Sequence, residues 1–326
     1  MKSLVLTAPQ TVELIDHHSA DLLEIMEIKA CGICKSDHKA WELPPTGFRM
    51  PRILGHEIAG VLSCDLPHLG ISKGQRVVAW PAVSCNLCHF CQTGQHNLCP
   101  EVQIFGYHLD GGFAEKLLIE KSLLKRLHLF PVPTGLGLEE ACLAEPLACV
   151  VNGLTKESGI IPRTALVLGA GFIGRLAARL IEQRWHSTVL VHDPNHKRLA
   201  AACRHHQPWC HELVDLVFVA ASDHQALEIG LNHLAPGGTM LLFSGLPRGK
   251  DGDSLNIPHN RLHQREQSLV GAYGCTPASM AEALALMAEG LPVADLIGRR
   301  VGLAEVGSVL GGVRPTEELK VVVQFG

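Results

Sequence analysis

Two short stretches near the start of the chain carry residues able to do chemistry: Cys31-Gly32-Ile33-Cys34-Lys35-Ser36-Asp37 and Gly55-His56-Glu57. They place thiols, an imidazole and two carboxylates within 27 positions. Thiolate sulfur and imidazole nitrogen are ligands that Zn²⁺ prefers, and a site with three protein ligands keeps one position open for a substrate. Ser36, two residues after Cys34, adds a hydroxyl within reach of whatever fills that position. Alone, these residues read equally well as buried structural groups.

A second constellation is sharper. Cys85-x2-Cys88-x2-Cys91-x7-Cys99 sets four thiols within fifteen residues, with Asn86, Gly94 and Asn97 between them. That spacing lets one loop wrap a tetrahedral Zn²⁺ completely, which excludes substrate and leaves a structural role. Such closed sites contribute folding free energy directly, on the order of 10 kcal/mol in small zinc peptides. A redox reading of the CxxC spacing is weaker, because no βαβ unit surrounds it.

Further along, Glu145-Pro146 interrupts a small, apolar stretch over 141–151. An unpaired carboxylate is costly to bury there, so either a cation or donors await it or it is an exposed first-turn acid. The apolar run Thr164–Leu168 then leads into Gly169-Ala170-Gly171-Phe172-Ile173-Gly174. Apolar residues at Ile173, Leu176, Ala177, Leu180 and Ile181 follow with helical spacing, and a strand over 189–192 ends at Asp193. A GxGxxG between strand and helix, with an acid nineteen residues beyond it, is the pattern that binds a dinucleotide. The glycines allow a tight turn and close approach of the pyrophosphate to the helix N-terminus, and Asp193 accepts from the adenosine ribose. Its charge repels a 2′-phosphate and favours NAD over NADP, while Lys197 and Arg198 nearby act in the other direction.

These groups need elements to hold them. Residues 1 to about 80 supply β-type runs at 4–6, 12–15, 22–30, 58–62 and 76–80, and the absence of helical periodicity points to a small barrel-like β domain. Residues 36–41 read as a short helix carrying Ser36 and Asp37 away from the metal candidate. A strand is expected from Gly111 to about Ile119 and helix over 138–154 with Pro146 inside it. Buried strands follow at 216–220, 239–243 and 268–273, with helices at 226–234 and 278–289 and a last strand at 320–325. Trp41, Phe48, Phe105 and Tyr107 are candidates to line a pocket.

Size and composition narrow the classes. The 326 residues, 47% hydrophobic, are enough for two domains and contain no run as long as the ~18–20 apolar residues of a membrane span. A net charge of −4 argues against nucleic acid or anionic membrane as a partner. The start of the chain lacks the apolar core of a signal peptide. Twelve cysteines without a secretion signal fit a reducing, cytoplasmic compartment, where clustered thiols bind metal rather than pair as disulfides.

Taken in order, Cys-Gly-Ile-Cys-x-Ser-Asp, Gly-His-Glu, the four-cysteine lobe, Gly-Gly-Phe-Ala-Glu, Glu-Pro-Leu and Gly-x-Gly-x-x-Gly resemble the zinc-dependent alcohol dehydrogenases of the medium-chain dehydrogenase/reductase superfamily. The resemblance covers essentially the whole chain. It implies a GroES-like β-barrel catalytic domain over 1–150 with a structural zinc lobe at 83–100. It also implies a Rossmann doubly wound parallel sheet over 151–275, and a segment over 276–326 that returns to the catalytic domain. By the same resemblance Cys34 and His56 are catalytic zinc ligands, completed by Glu57 or by Glu145. Glu145 stands where simple alcohol dehydrogenases have a cysteine, which places the chain nearer the sorbitol- and threonine-dehydrogenase branch. Asp37 matches an acid that orients the zinc-bound histidine, and Ser36 the hydroxyl that takes the substrate proton. Cys149 would lie beside the nicotinamide, and Gly169, Gly171, Phe172, Ile173, Gly174, Asp193 and Arg198 would meet the rest of the cofactor. The family often places a relay histidine five residues after the first zinc cysteine. Here that position is Lys39, and His38 precedes it. A further departure is length: about 22 residues separate Asp193 from the strand at Leu216, so the third strand of the Rossmann sheet should be short or missing.

The expected activity is reversible oxidation of a secondary alcohol in a small polyol, sugar derivative or amino alcohol, with two Zn²⁺ per chain and NAD. The competing readings are an NADP-dependent aldehyde or ketone reductase and a catalytically silent relative that serves as a binding component. A homodimer or homotetramer is expected from exposed strand edges.

Overall fold

The computed structural model describes residues 1–16, 21–45, 47–156, 159, 161–246, 254–312 and 319–326. Two units emerge, one built from Met1–Ala148 with Cys275–Gly326 and the other from Cys149–Gly274.

In the first unit everything is hung on the strand Leu23–Ile33. It pairs antiparallel with Glu57–Leu62, with Lys116–Ile119 and with Lys320–Gln324. The sheet runs in the order Leu129–Pro131, Arg76–Ala79, Glu57–Leu62, Leu23–Ile33, Lys320–Gln324, Ile297–Gly302. A second sheet joins Thr11–Asp16, Lys2–Ala8 and Arg52–Ile53. Lys320–Gln324 lies between two neighbours and is buried along Lys-Val-Val-Val, the β-branched run expected of a strand covered on both sides. Leu6, Ile25, Met26, Ile28, Phe105 and Phe113 fill the core beneath. The β-rich architecture expected of these residues is what they form.

Two local expectations change. The strand expected from Gly111 begins only at Lys116. Gly111, Gly112 and Phe113 instead donate their N–H groups to the carbonyls of Ile53, Gly55 and Leu54, which pins the backbone just ahead of His56. The helix expected over 138–154 is split into Leu138–Ala141 and Ala144–Leu154. Pro146 therefore sits in the first turn of the second helix, where its missing N–H leaves no bond unmade, and the break between the two helices falls just ahead of it.

The second unit is a six-stranded parallel sheet in the order Gln207–Pro208, Thr188–His192, Thr164–Leu168, Val214–Val219, Leu234–Leu242, Ser268–Gly271. Helices Phe172–Trp185, His196–Ala202, His224–His233 and His259–Arg265 alternate with the strands. The strand order reverses at Thr164–Leu168, the place where open parallel sheets bind ligands beyond the strand carboxyl ends. The third strand is two residues long, and no helix intervenes between it and Val214–Val219. Trp209 closes that edge instead: its ring is buried against His192 and His233, and its indole N–H donates to Glu212 O at 3.1 Å. The shortened third strand anticipated from the spacing is present.

Candidate functional site

Strand pairing sets the geometry of the metal candidate. Gly32 stands opposite Glu57 in the antiparallel register, so the carboxylate crosses directly over the glycine. A Cβ at Gly32 would lie 1.8 Å from Glu57 Oε2, and hydrogen is the only side chain that fits. The next strand residues lead through Cys34 into the helix Lys35–Glu42, with Cys34 at its N-cap. The positive end of the helix thus faces the Cys34 sulfur. Ligand atoms of Cys34, His56 and Glu57 all lie within 4.8 Å of one another, with His56 and Glu57 buried.

The helix does not carry Ser36 and Asp37 away from the metal candidate, as expected of residues 36–41. Both lie in its first turn, and Asp37 Oδ2 accepts the Cys34 N–H at 2.8 Å while Oδ1 accepts that of Gly55 at 3.1 Å. The two imidazole nitrogens of His56 are thereby assigned different neighbours. Nδ1 faces Asp37 Oδ1 at 3.5 Å, and Nε2 lies 3.4 Å from Ser36 Oγ. Burial pushes the His56 pKa down, but the Asp37 carboxylate and the Cys34 sulfur raise it well above its usual range. Burial likewise raises Asp37, and His56 more than reverses this, holding it below the usual carboxylate range. The surroundings of His56 therefore call for positive charge, which a metal at Nε2 would supply.

Lys320, which sequence reasoning missed, completes this shell. Its Nζ donates to Glu57 Oε1 at 2.6 Å and to Ile33 O at 3.3 Å, with both charged groups buried. Burial lowers the Lys320 pKa, but Glu57 more than reverses this, so Lys320 keeps its charge in the buried contact. Glu57 Oε2 has no hydrogen-bond partner among the described residues. A buried carboxylate oxygen left in that state is costly unless a cation meets it. The donor set of thiol, imidazole and carboxylate thus fits Zn²⁺.

Glu145 is also buried, so the reading as an exposed first-turn acid is excluded. It does not join Cys34, His56 and Glu57; its Oε1 lies 3.9 Å from the Cys275 thiol instead. Cys275 is held in turn by Trp80, whose indole N–H donates to its carbonyl at 3.0 Å. Cys149 follows one turn beyond Glu145 on the helix Ala144–Leu154 and is half-buried. His38 turns the other way on its helix, with Nδ1 3.3 Å from Leu310 O. Of the aromatic candidates, Phe105 is wholly core and Trp41 packs beside Gly311. Tyr107 lies next to His56, with ring centroids 6.2 Å apart, and Phe48 meets Tyr107 edge-on at 6.0 Å.

The four-cysteine lobe is also assembled. Cys85 lies 3.8 Å from Cys91 and 3.5 Å from Cys99, and Cys88 lies 3.6 Å from Cys91, sulfur to sulfur. A tetrahedron with Zn–S arms of about 2.3 Å has edges of about 3.8 Å, so the thiols are spaced for metal and far too widely for disulfides. Backbone N–H groups of Leu87 and Cys88 donate to Cys85 Sγ and pull its pKa down to about 6, favouring the thiolate that metal needs.

In the second unit the glycine turn joins Thr164–Leu168 to the helix Phe172–Trp185. Gly169 has φ +104°, and a Cβ on Gly174 would lie 1.7 Å from Gly169 O, so both positions demand glycine. Gly171 caps the helix that begins at Phe172 and Ile173. Asp193 is buried, with Oδ2 accepting the Ala170 N–H and Oδ1 the Asn195 N–H, both at 2.8 Å. The acid therefore ties the turn to the start of the helix His196–Ala202, which Asn195 caps through the Lys197 and Arg198 N–H groups. Arg175, unmarked in the sequence reading, straps the same corner by donating to Ala170 O and to Arg198 O.

Residues 24–131 match the family model of the alcohol dehydrogenase GroES-like domain. The chain is 30% identical over 318 residues to D-altritol 5-dehydrogenase of Agrobacterium fabrum, covering 92% of this chain and 91% of that protein. It is 29% identical over 290 residues to L-galactonate-5-dehydrogenase of Escherichia coli, covering 84% and 82%. The NADP-bound structure of a zinc-binding dehydrogenase from Sinorhizobium meliloti superposes with a TM-score of 0.87 at 25% identity, covering 99% of both chains.

Proposed function

The chain belongs to the zinc-dependent alcohol dehydrogenase family of the medium-chain dehydrogenase/reductase superfamily, and on that premise we propose that it oxidises a secondary hydroxyl of an acyclic sugar alcohol or sugar acid, reversibly, with a nicotinamide cofactor as hydride acceptor. The observation that carries this is the convergence of Cys34, His56 and Glu57 on one point, with Glu57 Oε2 buried and lacking a hydrogen-bond partner among the described residues. Altritol, galactonate and idonate dehydrogenases among the relatives all act at carbon 5, which makes an open six-carbon chain the first substrate class to test.

Cys34, His56 and Glu57 would hold the catalytic Zn²⁺, and Cys85, Cys88, Cys91 and Cys99 a structural one. When bound, the catalytic metal supplies Lewis acidity toward the alcohol oxygen, and the nicotinamide supplies the hydride acceptor. The protein's own contribution is position and charge. Asp37 keeps the proton of His56 on Nδ1 and so leaves Nε2 free to ligate. Lys320 holds Glu57 Oε1, which leaves Oε2 as the oxygen that would meet the metal. Ser36 Oγ, beside His56 Nε2, takes the proton of the alcohol. His38, against Leu310 O, is a candidate for passing it outward. Cys149 is assigned to the nicotinamide side, and the glycine turn with Asp193 and Arg198 to the pyrophosphate and adenosine. The carboxylate of Asp193 supports NAD over NADP, since a 2′-phosphate would meet its charge.

The substrate is a small molecule, and no helix among the described residues is long and apolar enough to cross a membrane. A homodimer or homotetramer in a reducing cytoplasm remains part of the proposal. The test is a panel of hexitols and aldonates assayed for NAD⁺ and NADP⁺ reduction, with metal analysis in parallel. Two zinc ions per chain, falling to one with loss of turnover in Cys34→Ser, are expected. Full turnover in Cys34→Ser, or in metal-free protein, would refute the proposal.

A further inference from the structure

We propose that Tyr107 is a positioning residue for the proton-accepting hydroxyl of Ser36, acting through the main chain and not by touching substrate. Its phenol donates to the carbonyl oxygen of Ser36 at 3.0 Å, across 71 residues of sequence. That carbonyl belongs to the first turn of the helix Lys35–Glu42, the same turn that sets Ser36 Oγ and Asp37 on the two nitrogens of His56. Inside the turn, Asp37 is tied to the Cys34 and Gly55 N–H groups. Tyr107 grips it from outside, so the turn is held on two sides.

The grip is itself anchored. Phe105, two residues before, is fully buried and donates its N–H to Pro81 O, and Gly106 donates to Leu109 O. Phe48 packs edge-on against the Tyr107 ring at 83°. The ring is explained by that packing and by its proximity to His56, and a phenylalanine would serve both. The hydroxyl is the atom that packing does not explain, and its acceptor is the backbone of the residue assigned to proton transfer.

This inference rests on the assignment of Ser36 under the proposed function, and the experiment separates the two. Tyr107→Phe keeps the ring and removes the bond. Its expected effect is a fall in kcat of about 3- to 10-fold, the range for one lost hydrogen bond, with KM within about twofold and zinc content unchanged. Ser36→Ala and the double variant complete the cycle. If Tyr107 acts through Ser36, Tyr107→Phe costs nothing more once the hydroxyl of Ser36 is gone. The same fold-loss in both backgrounds, or a change in KM alone, would overturn the proposal while leaving Ser36 in its role. A Ser36→Ala variant with unaltered kcat would remove the assignment of Ser36, and this inference with it.

Discussion

Gly32→Ala is the most revealing single change, because it adds one methyl group at the point where strand register and metal candidate meet. The new Cβ would lie 1.8 Å from Glu57 Oε2, 2.8 Å from Cδ and 3.2 Å from Cβ. Reaching the 3.4 Å of ordinary contact requires Oε2 to retreat by 1.6 Å. The carboxylate has little freedom to do so, since Oε1 is bound to buried Lys320 at 2.6 Å. Either the ion pair stretches or the strands part. Overpacking of this kind costs about 1–3 kcal/mol, and loss of one buried partner from an ion pair costs about 3–5 kcal/mol. A moderate drop in melting temperature is therefore expected. The larger effect falls on the metal: moving one oxygen out of line should weaken zinc binding, and turnover, about 10- to 100-fold or more, as changes to supporting shells do. Zinc per chain measured after dialysis against a weak chelator, beside kcat with a reactive hexitol, reads both effects. The four-cysteine zinc should stay. Gly32→Ala protein that keeps wild-type zinc content and turnover would show that Glu57 does not stand at the metal.

Other consequences can be checked alongside. Cys88→Ser should remove one zinc per chain and lower the thermal midpoint by several degrees, in keeping with the folding free energy carried by closed cysteine sites; an unchanged midpoint would mean the lobe contributes no stability. His128, half-buried against Trp80 and His96, has its pKa pushed by burial from 6.5 down to about 4. The unfolded chain therefore binds a proton that the fold refuses between these values. Stability is full above 6.5 and falls as pH drops towards 4. His128→Gln should flatten that part of a pH–melting curve, and an identical curve would refute the assignment. Asp193→Asn removes the charge and keeps one of the two oxygens that accept the Ala170 and Asn195 N–H groups. It should move the NADPH-to-NADH affinity ratio, read by fluorescence titration, at least about tenfold towards NADPH; no movement would separate Asp193 from the adenosine ribose.

What the sequence disclosed, and what it withheld, follows from the range of the interactions. The glycine turn, the four-cysteine lobe and Cys34-x-Ser-Asp were legible because each is a local pattern whose spacing already fixes its geometry. The short third strand was legible from length alone, since too few residues lay between Asp193 and Leu216. Lys320 was not, because its partner lies 263 residues away. A trace was there: one cation opening a run of three valines is an expensive residue to bury without an anion. Which acid lies beside Cys34 and His56 was not legible either, because it depends on the pairing that sets Glu57 across from Gly32. The reading of residues 36–41 as a helix leading Ser36 and Asp37 away left the cap out of account. With Cys34 as N-cap, the first turn stays beside the cysteine whatever the length that follows.

The central position of the strand Lys320–Gln324 has a consequence for biosynthesis. Synthesis must reach residues 320–324 before Leu23–Ile33 receives the last of its three partner strands and Glu57 its counter-charge. The parallel sheet over 149–274 is complete in the nascent chain well before that moment. Until then Glu57, beside Cys34 and His56, lacks the buried cation that balances its charge in the finished fold.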